Sequence, residues 1–126
     1  MQNDIDLVRK ILESIRDRED LWPREVEIAD YDPLVVARHV ERLHDDKLID
    51  GTVHRPMSEP VAKVKVRDMT SAGHEFLSAL ESGDVWQRLK SALNPTELSA
   101  LSFRELAGIA KELAGKAIRR KLGLDD

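Results

Sequence analysis

Residues 62–67 read Ala62-Lys63-Val64-Lys65-Val66-Arg67, and this alternation constrains the chain more than any other stretch. Successive side chains of an extended segment point to opposite sides. Ala62, Val64 and Val66 therefore share one face, and Lys63, Lys65 and Arg67 the other. Such a strand needs an apolar layer beneath it and water or an anion above it. It also needs a partner strand. Residues 48–54 supply one for residues 61–69, joined through the proline-bracketed tip Arg55-Pro56-Met57-Ser58-Glu59-Pro60.

The apolar layer has to come from helices, because the remaining apolar residues mostly recur at helical spacing. Ile5, Val8, Ile11, Leu12 and Ile15 form one stripe, with Asn3 or Asp4 placed to cap it and an end near Arg18. Asp20-Leu21-Trp22-Pro23 interrupts the helix, and Glu25-Val26-Glu27-Ile28 alternates like a short, half-buried edge strand. Asp32-Pro33 opens a second helix, since the carboxylate can accept an orphan N–H and proline at the first position sacrifices no bond. Val36, Val40 and Leu43 should face inward, Arg38, Glu41, Arg42 and Asp45 outward, with an end near Lys47.

Beyond the hairpin, Thr70 can cap a helix that buries Phe76, Leu77 and Leu80, with Gly73 allowing a close approach to whatever lies beneath. Gly83 is expected to end it and Asp84 to cap a fourth helix carrying Val85, Trp86, Leu89 and Leu93, stopped at Asn94-Pro95. Ser102-Phe103-Arg104-Glu105 reads as a capping box. It opens a last helix with Leu106, Ile109, Ala110, Leu113 and Ala117 inward, ending in Lys116, Arg119, Arg120 and Lys121 before Gly123. Trp22 and Trp86 are expected as core anchors. The fold class is thus mainly α with a small antiparallel sheet. Residues 1–82 form the main domain, and residues 83–126 form a helical extension packed onto it as one unit.

The order helix, short strand, helix, strand, loop, strand, helix is that of a winged helix-turn-helix, with the middle helix reduced. His39-Val40-Glu41-Arg42-Leu43 followed by Leu48-Ile49-Asp50-Gly51 resembles the junction between recognition helix and wing in such domains. Met69-Thr70-Ser71-Ala72-Gly73-His74-Glu75-Phe76-Leu77 resembles the closing segment of MarR-like and PadR-like regulators. The chain from Asp4-Ile5-Asp6-Leu7-Val8 to Lys121-Leu122-Gly123-Leu124 also resembles a domain-of-unknown-function family of bacteria and their prophages, with Val85-Trp86 among its tokens. The resemblance implies the fold and carries no activity.

Charge narrows the functional classes. The net charge is −4, but residues 51–67 hold four Lys/Arg against one acid, the only clearly positive block. On a winged helix, Arg38 and Arg42 would face bases or phosphates, and His54, Arg55, Lys63, Lys65 and Arg67 would line the wing against phosphates. The competing reading keeps Arg38 and Arg42 in ion pairs with Glu41 and Asp45, and uses the strand lysines only to discourage edge pairing. The tail cations can likewise serve the helix dipole alone.

The expected role is a sequence-specific DNA-binding protein, a transcriptional regulator of bacterial or prophage origin, acting on double-stranded DNA as a homodimer through its C-terminal helices. A winged-helix module binding another protein is the alternative. No cofactor, metal site or catalytic group is expected. Cysteine is absent, His39 and His44 lie on different sides of a helix, and no acid pair, nucleophile elbow or phosphate loop occurs. With no spanning apolar run and a polar Met1-Gln2-Asn3-Asp4 start, a cytoplasmic protein without membrane contact is expected.

Overall fold

A computed structural model describes residues 2–124; Met1, Asp125 and Asp126, the ends of the two expected segments, lie outside it. The helix α1 (Ile5–Arg16) starts where Asp4 accepts the N–H groups of Asp6 and Leu7, and α2 (Pro33–Asp45) starts where Asp32 accepts that of Leu34. Two antiparallel strands follow, β1 (Ile49–His54) and β2 (Lys63–Met69). Four helices complete the chain: α3 (Ser71–Glu81), α4 (Gly83–Ala92), α5 (Pro95–Ala100) and α6 (Phe103–Lys121). The fold is α+β, mainly helical with one two-stranded sheet.

The alternation in β2 holds as far as Val66. Val64 and Val66 are buried while Lys65 and Arg67 are exposed. Past Val66 a bulge intervenes, for Gly51 pairs with Val66 while Asp50 pairs with Asp68. The extra residue, Arg67, resets the pleat so that Met69 goes into the core and Asp68 stays at the surface. Gly51 is required there, since a Cβ would lie 2.4 Å from the Lys65 carbonyl oxygen.

One core runs through every helix. It joins the buried faces of α1 and α2 to the sheet, to Phe76, Leu77 and Leu80 of α3, and to Val85, Leu89, Phe103, Leu106 and Ala110 of the last helices. Leu7 is fully buried as well, outside the expected stripe, because later helices return to cover α1 on a second side. Polar ties follow the same path: Asn3 bonds Ser99 and Leu101, Lys90 pairs with Asp6, and Arg16 pairs with Glu81. Both capping boxes, Asn94 with Glu97 and Ser102 with Glu105, close fully.

Several expectations need correction. Glu25–Ile28 is not a strand. Its side chains alternate, with Val26 and Ile28 partly buried, but the segment touches the sheet at a single bridge between Arg24 and Val66. Residues 17–32 contain no helix at all; a turn with Asp30 at φ 69° leads directly to the Asp32 cap. The break between α3 and α4 falls at Ser82, with Gly83 and Asp84 inside the first turn of α4, so Asp84 does not cap. Asn94-Pro95 stops α4 but also starts α5, by the same chemistry as Asp32-Pro33. Trp22 is 77% exposed, on a loop held by Asp20 and by Arg18 to its carbonyl oxygen, while Trp86 is half-buried between Arg9 and Lys90.

Two backbone positions set the joints around the sheet. Gly73, in the first turn of α3, packs so closely on the start of β1 that a Cβ would stand 2.0 Å from the Leu48 carbonyl oxygen. Lys47, between α2 and β1, holds φ at 62°, where a side chain is strained. Gly73→Ala should therefore lower unfolding free energy by about 1–3 kcal/mol through overpacking, and Lys47→Gly should raise it by about 1 kcal/mol. Urea denaturation of both variants measures these shifts; an unchanged midpoint for Gly73→Ala would contradict the packing described.

Candidate nucleic-acid interface

The residues expected to contact DNA divide into three groups. Arg38 on α2 and Arg55 after β1 are drawn together by Glu41, whose carboxylate accepts from Arg38 Nη1 at 2.8 Å and Arg55 Nη1 at 2.9 Å. Glu41 was expected on the outward face, yet it is 4% exposed. Its two oxygens, one for each guanidinium, make it the link between α2 and the hairpin. Burial makes that pairing obligatory, since an unpaired buried carboxylate is costly. The guanidinium groups themselves stay largely open, at 43% and 66% side-chain exposure.

The second group lies on the outer face of the sheet. Register sets His54 opposite Lys63 and Thr52 opposite Lys65, with Arg67 at the bulge. Lys63 pairs with Glu59 at 3.1 Å and Arg67 with Asp50. Each acid holds its partner's proton more firmly: the hydrogen bond to Glu59, reinforced by the charges of Glu59 and Glu25, raises the Lys63 pKa, and the bond to Asp50 raises that of Arg67. Among the described residues Lys65 forms no ion pair, and His54 is exposed beside it.

Arg42 belongs to neither group. Its Nη1 donates to Asn3 Oδ1 at 2.6 Å, which turns it toward the N-terminal segment and away from Arg38 one turn earlier. Of the tail cations, Arg120 pairs with Asp84 at 3.5 Å.

His39, on α2, is wholly buried. The Asp4 N–H donates to Nε2 at 2.9 Å, so Nδ1 carries the proton and donates to the Val35 carbonyl at 2.8 Å. The ring stacks on Phe103 at 5.9 Å. With both nitrogens used internally it offers nothing to a metal, and among the described residues no cluster of three or more His, Asp or Glu could hold one. None of this burial was visible in the spacing; the apolar neighbours Val36, Val40 and Leu43 were its only signal.

A mainly helical α+β chain whose cations gather on α2 and a two-stranded hairpin is the class of protein that the geometry defines. The chain belongs to the family described as "Hypothetical protein (DUF2513)", which it matches over residues 2–99. That stretch ends inside α5, short of the Lys121–Leu124 end that the resemblance was expected to include. No curated protein and no solved structure matches the chain. Among the described residues, no helix is long and apolar enough to cross a membrane.

Desolvation, the largest influence on His39, pushes its pKa below the ordinary 6.5. The folded chain then binds fewer protons than the unfolded chain below that value, so stability is full above it and falls as pH drops toward the lowered pKa. Melting temperatures of the wild type should decline between pH 7 and 5 more steeply than those of His39→Gln. Parallel curves for the two proteins would contradict the neutral, buried ring.

Proposed function

We propose that this chain is a reduced winged helix that binds double-stranded DNA and acts in transcriptional control, with α2 and the β1–β2 hairpin as its reading surface. The observation that carries this reading is the order of extended segments: the Arg24 bridge, β2, then β1, with α2 immediately before the hairpin. It supports the reading because a helix-turn-helix protein lays its second helix in the major groove, and here α2 stands directly before a hairpin that can reach the backbone beside it. Here a turn at Asp30 stands where the middle helix would be.

The contact set is Arg38 and Arg55, held by Glu41, together with His54, Lys63, Lys65 and Arg67 on the sheet. Arg42 has a smaller part, because it is bonded to Asn3. The acids beside Lys63 and Arg67 do not preclude phosphate contacts. Exposed ion pairs contribute only about 0–1 kcal/mol, and a phosphate can replace a carboxylate as partner. Glu41 is different, being buried: it stays in place and sets the spacing of two guanidinium groups that remain open. The role proposed is recognition, not catalysis. Exposed Ile118, Leu122 and Leu124 at the end of α6 support a two-fold dimer formed there.

Fluorescence anisotropy of a labelled duplex between about 50 and 200 mM salt tests the reading. Four wing cations predict a slope of log affinity against log salt between about −3 and −4 per protomer. Lys63→Glu, Lys65→Glu and Arg67→Glu combined should abolish binding. A wild type without salt-sensitive affinity, or a triple variant that binds equally well, would sink the DNA reading.

A further inference from the structure

The strongest feature beside the cationic surface is a groove of about 740 Å³ between residues 25–29 and β2, floored by the first half of α2. Its origin is the strand that does not form. At one end Arg24 and Val66 exchange both backbone hydrogen bonds, at 3.1 and 2.7 Å. A continued antiparallel ladder would next pair Val26 with Val64, but the two segments diverge there and the groove opens between them.

This divergence leaves a strand edge open. Val66 turns its N–H and C=O toward Arg24, away from β1, so Val64, two residues earlier, turns its own to the same side. Among the described residues nothing bonds the Val64 backbone there. Beneath this edge lie apolar side chains, among them Ile28, Leu34 and Val61, and Leu34 is 46% exposed. Around it stand Glu25, Glu27 and Glu59 against one cation, Lys63, which Glu59 already neutralises. Neither Glu25 nor Glu27 forms an ion pair among the described residues.

We infer that this groove is a docking site for an extended segment of a partner protein, in which apolar residues alternate with lysine or arginine, added as a strand along the open edge of β2. Backbone bonds to Val64 would supply affinity. The apolar floor would take one set of side chains, and Glu25 and Glu27 would select basic residues in the other. The five-residue wall from Glu25 to Ala29 matches about 17 Å of extended chain. Apart from Lys63, which it shares with the wing, the rim is acidic, so docking of a basic segment here does not depend on the DNA reading.

The test uses the full chain and a fluorescent peptide of alternating valine and lysine, about nine residues long, with a valine–glutamate peptide as its counterpart. The basic peptide should bind, and Glu25→Lys with Glu27→Lys should weaken it about tenfold or more. Leu34→Glu, a change at a partly exposed site, should also weaken it, and circular dichroism verifies that each variant is folded. In hydrogen exchange, the Val64 amide should be fast in the free chain and slowed by the peptide, while Lys65, which faces β1, is slow in both. The proposal fails if the basic peptide does not bind, if both peptides bind equally, or if the variants bind like the wild type. It also fails if Val64 is already protected in the free chain, which would mean that residues 25–28 close the edge themselves.

Discussion

The neutral ring of His39 ties the start of α1, α2 and the start of α6 together. Its two nitrogens leave no freedom: one must accept from the Asp4 backbone and the other must donate to Val35. The acceptor role ties α2 to the residue that caps α1, and the ring face meets Phe103, the first residue of α6. The first two helices and the last are thus fixed at one buried point. A protonated ring would present a donor to a donor at a position wholly shielded from solvent. The orientation of α2, and so of every charged group on it, follows from this junction.

Two residues on, Glu41 repeats the strategy with charge. A buried carboxylate cannot be left with one partner missing, so Arg38 and Arg55 are held where it needs them. The ion pairs of Lys63 and Arg67 are partly or largely exposed and exchangeable by comparison. The surface therefore has a fixed part at the junction of α2 and the hairpin, and an adaptable part on the outer face of the sheet. The groove beside them is of another kind, apolar with an acidic rim, and it exists because the Arg24 bridge is not extended into a ladder.

Much of the fold was legible wherever local chemistry decides. Asp4, Asp32, Thr70 and Ser102 all cap helices as their side chains allow, and the alternation of β2 survives because one face has a core to fill. Gly73 announced a close approach, which is the contact with Leu48. What could not be read depends on distant partners. Val26 and Ile28 alternate like a strand, but the ladder stops at the Arg24 bridge and a groove floored by α2 opens beyond it, which no local pattern encodes. The polarity of Glu41 pointed outward; only the arginines, brought in by tertiary structure, make its burial tolerable, as the Asp4 backbone does for His39. At the site, the cations were recognisable by type and place, while their carboxylate partners, and the turning of Arg42 toward Asn3, were not.

The central proposal is that α2 and the hairpin together form a surface that recognises DNA. Amide chemical shifts of the labelled protein, followed as a mixed-sequence duplex is added, test it most directly. The account predicts that the changes gather around Arg38, Arg55 and the outer face of β1 and β2. Changes confined to α4, α5 and α6, or none at a DNA excess, would contradict it.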